Sequence, residues 1–271
     1  MNWKMKKPTL GRTLSESSLD VHIPSFPGSP RSLNIGSASS LQSIESHDPF
    51  FVEAVEFLHE DKDFLIAAET GNHKILDILI RRGTNIQQKD HLGRNALHLA
   101  VCSDSEAAVM LLLKTGIKTN VKDNLGMTAL SLCLMRRPSY NIANRLFDHG
   151  AEIVPRSNPV DTGLFLQFVM MCTPTTKDAE ILKLLVKKGA VVNDPEAPGG
   201  RQALHFAAMS NNCRLIDILV ELGADLFLTN HRNETPKDVA ETFKCKEAFE
   251  LLSELEEQED SDVSLSLQNS K

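Results

Sequence analysis

Residues 202–225 read QALHFAAMSNNCRLIDILVELGAD, and this stretch decides the fold. Its second half places apolar side chains on one side of a helical period and ends at Gly223; these side chains are Leu215, Ile216, Leu219 and Val220. An apolar stripe of this period that stops at glycine predicts an amphipathic helix closed by a left-handed residue. The first half, around Ala203-Leu204-His205-Phe206-Ala207-Ala208, predicts a shorter helix before it.

The same pattern recurs along the chain. Glycines close a predicted helix at regular intervals of 33, 34, 39 and 34 residues, at Gly83, Gly116, Gly150, Gly189 and Gly223. A leucine stands four positions before every one of them: Leu79, Leu112, Leu146, Leu185 and Leu219. A unit of about 33 residues with two helices and a turn is typical of a solenoid, in which each unit buries its core only against its neighbours.

The units resemble ankyrin repeats. Asn95-Ala96-Leu97-His98-Leu99-Ala100 and Gln202–Ala208 match the opening of that family's pattern, and Gly150-Ala151-Glu152 and Gly223-Ala224-Asp225 match its close. The resemblance implies an all-α ankyrin-repeat solenoid, with helix-turn-helix units and hairpin fingers. It implies about six repeats over residues 61–255.

Three segments lie outside the predicted repeats. Residues 1–47 are rich in serine and proline, with too little apolar surface to offset the entropy of ordering, and we expect a disordered arm. Residues 48–60 predict an N-capped helix, starting at Asp48-Pro49, that shields the open end of the stack. Residues 256–271 predict an acidic disordered tail, because nine acids and three lysines fall between residues 241 and 271.

Some units depart from the family pattern. The third has Ser131 and Cys133 where His and Ala are usual, and the fourth matches poorly in its first helix. Extra residues are predicted in the finger with Pro155 and Pro159, in the turn at residues 173–176, and in the finger with Pro195 and Pro198. Such insertions fall on loops, where they either form part of a binding face or reflect neutral drift.

Composition excludes several classes of function. The net charge of −7 disfavours direct nucleic-acid binding, and no apolar run reaches the length of a membrane span. No nucleophile elbow, P-loop or dinucleotide fingerprint is present, so we predict neither an enzyme nor a cofactor.

His98 and Cys102 share a helix face, but no second pair has zinc-ligand spacing, and no metal site is predicted. His98 and His205 are instead expected to tie neighbouring turns together, and the five cysteines to act mostly as small buried apolar groups.

A partner site is predicted on the concave face, which in this family consists of the finger tips and the exposed side of each first helix. Two leucines stand at the expected tips, and methionine and arginine, types enriched at interfaces, extend the surface. The predicted site comprises Leu92, Arg94, Cys102, Leu125, Met127, Met135, Arg136 and Met209. The alternative is that lone exposed leucines carry no function.

The N-terminal arm carries two predicted phosphorylation sites. Ser15 has Arg12 three residues before it and leucines at Leu10 and Leu19, which resembles the motif of AMP-activated and calmodulin-dependent kinases. Ser29 precedes a proline. A phosphoserine reader of the 14-3-3 type is a predicted partner, although serine-rich segments also match such motifs by chance.

Together these features predict a non-enzymatic protein-interaction module, an intracellular adaptor or inhibitor located in the cytoplasm, with the nucleus as a further candidate location. The alternative is a nuclear transcriptional co-regulator resembling the inhibitors of NF-κB, which also join ankyrin repeats to an acidic tail. The arm lacks the D-S-G-x-x-S degron of that group.

Overall fold

The structure is a computed structural model that describes residues 60–153, 162–172 and 175–269. The predictions for the arm at 1–47 and for the capping helix at 48–60 lie outside the described residues, apart from Glu60. Twelve α-helices are found within the described ranges: α1 Glu60–Glu69, α2 His73–Arg81, α3 Ala96–Cys102, α4 Glu106–Lys114, α5 Ala129–Arg136, α6 Tyr140–Asp148, α7 Leu164–Met171, α8 Thr176–Lys187, α9 Ala203–Met209, α10 Cys213–Glu221, α11 Pro236–Thr242 and α12 Lys246–Asn269.

The helices form a solenoid of two layers. The odd-numbered helices, here called inner helices, pack on one another in order from α1 to α11, and the even-numbered outer helices form the second layer. One continuous core runs between the layers from Phe64 to Leu252. Each inner helix therefore buries its apolar face against the next repeat, as the sequence period predicts.

Local signals in the sequence fix where the outer helices begin and end. Asn212 caps α10, since its side chain accepts a hydrogen bond from the backbone N–H of Leu215 at 3.1 Å. The helix is followed by Gly223, whose φ of 85° is left-handed. Replacing such a cap with alanine costs about 1 kcal/mol. The predicted left-handed closure is confirmed at this glycine and at the four others of the series.

The fourth repeat shows where its extra residues lie. Helix α8 has 12 residues, whereas α2, α4, α6 and α10 each have 9. Thr176, predicted to belong to an insertion in the turn, is the first residue of α8, and Thr175 caps it in a reciprocal capping box with Asp178. The insertion therefore mainly lengthens the outer helix. Residues 173–174 and the finger residues 154–161 lie outside the described residues.

The last helix continues beyond the predicted end of the repeats. Helix α12 has 24 residues, through the boundary predicted at residue 255. Leu252 is buried, and the carboxylate of Glu256 forms an ion pair with Lys237 of α11. Residues 246–269 contain neither glycine nor proline, so nothing in the sequence stops the helix at residue 255. None of the helices in the described part of the chain is long and apolar enough to cross a membrane.

Candidate functional site

The fingers form one edge of the inner face, the surface made by the fingers and the exposed sides of the inner helices. Each finger takes the number of the repeat whose inner helix follows it. In the second finger, between α2 and α3, Lys89 and Asn95 form an antiparallel bridge, which confirms the predicted hairpin. Asp90 organises its turn, because Oδ1 accepts the N–H groups of Leu92 at 2.9 Å and Arg94 at 2.8 Å. Burial raises the pKa of Asp90, but the hydrogen bonds and the charge of Arg94, together with the hydrogen bond from the N–H of Leu92, outweigh burial and lower that pKa below its usual value.

Neighbouring fingers are joined directly. The backbone N–H of Asn124 donates to the carbonyl of Leu92 at 2.9 Å, and its side-chain amide donates to the carbonyl of His91 at 3.1 Å. Gly93 has a φ of 76°, and a Cβ there would lie 2.4 Å from Oδ1 of Asn124. Glycine is therefore required by both conformation and close approach.

The two predicted tip leucines are exposed. Leu125 is 85% exposed and Leu92 44%. Asp123 holds the third finger as Asp90 holds the second, with Oδ1 accepting from the N–H of Leu125 at 2.8 Å. These tips present apolar side chains on a backbone fixed by hydrogen bonds.

Two other predicted site residues are partly enclosed by the fingers. Nε of Arg94 donates to Oδ2 of Asp90 at 2.7 Å, and the side chain of Arg94 is only 25% exposed. Met127 is half-buried and packs against the core. Both residues lie in the predicted region, but the finger fold already engages much of each side chain.

The carboxyl ends of the inner helices form the opposite edge. Helix α3 ends at Cys102, α5 at Met135 and Arg136, and α9 at Met209, so these predicted residues lie at the same end of the inner helix in the second, third and fifth repeats. Cys102, Met135 and Met209 are half-buried and Arg136 is exposed. Burial raises the pKa of Cys102, whereas the charges of Arg136 and Arg94 lower it less strongly. Each of the two arginines therefore lies within electrostatic reach of the Cys102 thiol.

Two residues of this edge were missed by sequence reasoning. Helix α7 ends at Met170 and Met171, which are 53% and 60% exposed. In the other repeats with a closing glycine, the inner helix ends at a nearly constant distance before that glycine. Counting back that distance from Gly189 places the end of α7 too late in the sequence, because α8 has three more residues than the outer helices α2, α4, α6 and α10. The signal that could have found them is the end of the apolar run LFLQFVMM, at residues 164–171, rather than the distance to the closing glycine.

The histidines of the repeats connect neighbouring fingers, as predicted. Nε2 of His98 lies 3.2 Å from the carbonyl of Met127, and Nε2 of His205 lies 3.1 Å from that of Glu234. Nδ1 of each ring accepts the backbone N–H at the start of its own helix, from Asn95 at 3.2 Å and Gln202 at 3.1 Å. Burial lowers the pKa of both histidines. Both ring nitrogens are thus engaged in each case.

The thiols have the environment of apolar core groups. Burial raises the pKa of Cys133 and of Cys172 to about 11, which keeps both protonated at neutral pH. Cys102, Cys172 and Cys245 are half-buried against the core, and Cys213 is also half-buried. Within the described ranges, no group of three or more His, Cys, Asp or Glu side chains could hold a metal ion.

Comparison with known proteins agrees with this architecture. The sequence model for ankyrin repeats in three copies matches residues 64–157, and that for a single ankyrin repeat matches residues 199–227. The human ASB11 ankyrin repeat domain superposes with a TM-score of 0.58 at 21% identity, covering 70% of this chain and 82% of that one. The chain is an ankyrin-repeat protein.

Its relatives have diverse functions. A chain from the complex of the Bdellovibrio bacteriovorus predatory endopeptidase Bd0816 with immunity protein Bd3460 has a TM-score of 0.60 and 26% identity, over 72% of this chain and 98% of that one. The potassium channel AKT2/3 of Arabidopsis thaliana is 28% identical over 75% of this chain and 23% of the channel. The chicken nuclear factor NF-kappa-B p105 subunit is 32% identical over 65% of this chain and 14% of that protein. This chain therefore matches about a quarter or less of these two curated relatives.

Proposed function

We propose that this chain is a non-enzymatic adaptor or inhibitor that binds a partner protein on its inner face. Ankyrin repeats are protein-interaction modules, and the observation that carries the proposal here is the exposure of Leu125 on a finger fixed by Asp123 and Asn124. An apolar side chain held in solvent contributes nothing to the fold, whereas buried at an interface it stabilises a complex. The likeness to a chain from an endopeptidase–immunity protein complex supports an inhibitor as one form of this function.

The test replaces both tip leucines with aspartate. Leu92→Asp combined with Leu125→Asp should leave the melting temperature almost unchanged, because both side chains are exposed, and should remove the principal partner from an affinity purification read by mass spectrometry. Tyr140→Asp is the matched control, since Tyr140 is 40% exposed on outer helix α6, away from the fingers. Full retention of the partner by the folded double variant would show that the finger tips do not bind it.

The arm is proposed to regulate this interaction. Phosphorylation of Ser15 adds up to about two negative charges, a form that a 14-3-3-type reader recognises, and Ser29 is a second candidate. Both serines lie outside the described residues. Arg12→Ala should abolish modification of Ser15 in cells, as measured by phosphopeptide mapping, because the kinase loses its basic determinant. Unmodified Ser15 under every stimulus tested would contradict this part of the proposal.

A second candidate function is a nuclear transcriptional co-regulator resembling the inhibitors of NF-κB. Its support is the 32% identity to the chicken p105 subunit. Imaging of the tagged full chain separates the two candidates, since the adaptor is proposed to be mainly cytoplasmic. Accumulation in the nucleus, together with recovery of a transcription-factor subunit as principal partner, would favour the co-regulator.

A further inference from the structure

The carboxyl ends of the inner helices carry a row of methionines. This methionine row consists of Met135, Met170, Met171 and Met209, from three successive repeats. Met170 and Met171 are exposed, whereas Met135 and Met209 are half-buried. Phe243, directly after α11, extends the row into the sixth repeat and is exposed. Five apolar side chains thus lie at, or directly after, the carboxyl ends of the inner helices in four successive repeats, which distinguishes this row from singly scattered surface residues.

The charge at one end of the row is distinctive. Arg136 and Arg137 follow Met135, both are exposed, and neither forms an ion pair with any other residue that the structure describes. At the other end, near Phe243, the exposed Glu241 and Lys244 carry opposite charges. The row is therefore cationic at the third repeat and close to neutral at the sixth.

The repeat spacing selects the shape of a ligand. Packed helices lie about 8–10 Å apart, so successive positions of the row are separated by roughly that distance. In an α-helix, residues seven apart are about 10.5 Å apart and lie on the same face. In an extended strand, about three residues cover the same distance, and these would face opposite sides. A helix lying across the inner helices can therefore place one apolar residue on each repeat, whereas a flat strand cannot.

We propose that the methionine row docks an amphipathic α-helix of the partner protein, with an acidic residue of that helix over Arg136 and Arg137. This inference rests on the proposed function and adds the chemistry of the partner. Methionine side chains adapt to varied apolar shapes, as is typical of grooves that bind amphipathic helices. The two arginines set the direction of the bound helix, because opposite charges across an interface fix register and suppress the reverse orientation.

The test uses a synthetic peptide and the full chain. The probe is a fluorescein-labelled, stapled helix with leucines along one face. The leucines repeat every seven residues, and further leucines stand on the same face one turn away from them. Two glutamates lie in the first turn, and the other side chains are neutral. One control peptide has the same composition with the leucines distributed around the helix. A second control has lysines in place of the glutamates. Fluorescence anisotropy gives Kd for each peptide.

Two sets of variants separate the row from other apolar surface. Met170→Asp with Met171→Asp should weaken binding of the probe at least about tenfold, which corresponds to about 1.4 kcal/mol. Val191→Asp should leave Kd within about twofold, because Val191 is as exposed as Met171, at 60%, but lies outside the row. If the double aspartate variant is unfolded by circular dichroism, Met170→Gln with Met171→Gln replaces it, with the same direction of effect.

The charge reversal tests orientation. Arg136→Glu with Arg137→Glu should weaken binding of the glutamate peptide and strengthen that of the lysine peptide, whereas the original chain shows the opposite preference. The proposal is overturned if the original chain shows no saturable binding below about 1 mM, if the distributed-leucine peptide binds equally well, or if Val191→Asp and the methionine variants are equivalent. Loss of the cellular partner from the finger-tip variant, with no binding of the probe, would retain the proposed function and reject this inference alone.

Discussion

Leu219→Ala is a direct test of how the repeats stabilise one another. Leu219 is fully buried in α10, four residues before Gly223. Its carbonyl accepts the N–H of Ala224 at 2.9 Å, and α10 packs on both α9 and α12. Removing a buried leucine side chain costs about 2–5 kcal/mol, depending on how far the site collapses. Because elements on both sides fix the backbone here, we expect about 3–5 kcal/mol.

The assay is equilibrium unfolding followed by far-ultraviolet circular dichroism. For a domain of this size each kcal/mol lowers the melting temperature by about 2–4 °C, so a decrease of about 6–20 °C is expected. The matched control is Leu125→Ala, the same chemical change at a side chain that is 85% exposed. That variant should remain within about 0.5 kcal/mol of the original chain.

The two variants together can refute the argument. If Leu219→Ala changes the free energy of unfolding by less than about 1 kcal/mol, the site is not the closely packed core that the structure describes. Equal destabilisation by Leu125→Ala would show that the finger tip contributes to folding, which would also weaken its assignment as a binding residue. A broadened transition for Leu219→Ala alone agrees with the argument, because the repeats of a solenoid can unfold separately.

Three further predictions follow from the same contacts. Gly93→Ala should destabilise the chain more than Gly83→Ala, by unfolding in urea, because both have positive φ but only Gly93 has a close neighbour. The lowered pKa values of buried His98 and His205 mean that the unfolded chain binds more protons, so stability should fall as pH decreases below about 6.5, by up to about 1.4 kcal/mol per pH unit for each histidine. Replacing both histidines with serine should flatten this slope in melts between pH 7.5 and 5.5. A chain of residues 48–256 should melt cooperatively and near the temperature of the full chain; an unfolded product would show that the removed arms contribute to packing.

Much of the solenoid could be predicted because its signals are local and repeated. Gly83 and Gly223 end outer helices as expected, and His98 and His205 connect to the next finger. Each of these features depends on a short stretch of sequence that favours one local structure. For the glycines this structure is a left-handed helix cap, and for the histidines it is a buried, hydrogen-bonded ring. The period then places every similar unit in register.

The fourth repeat shows the limit of that approach. Leu164 follows Gly163 directly as the first residue of α7, whereas α5 begins three residues after Gly126. The segment between Gly163 and the inner helix is shorter than in the third repeat, whereas the outer helix is longer. These two differences partly cancel in the number of residues between Gly163 and Gly189. The longer glycine spacing shows that residues are added in this repeat, but it does not show that they lengthen the outer helix, and it does not show the exposure of Met171.

The exposed site was harder to predict than the fold for a physical reason. Sequence chemistry identifies Arg94 as cationic, but only the finger geometry shows that its Nε is held by Asp90 at 2.7 Å. Arg136 has the same charge and forms no ion pair with the rest of the described chain, because it lies at the end of a helix rather than within a turn. Residue type therefore indicates what a side chain can recognise, whereas local geometry decides whether it is free to do so.

The contacts that join the repeats explain how this fold can vary its ligand without losing stability. Asn120 donates to the carbonyl of Gly150 at 2.9 Å and accepts the N–H of Glu152 at 3.0 Å, and Asn193 makes the equivalent bonds to Gly223 and Asp225. These bonds reach backbone groups of the next repeat, as do those of the histidines, so they do not depend on the neighbouring side chains. The exposed apolar side chains at the finger tips and at the ends of the inner helices, such as Leu125 and Met171, take no part in these hydrogen bonds. Substitutions there are therefore expected to change what the chain binds while leaving the stack intact.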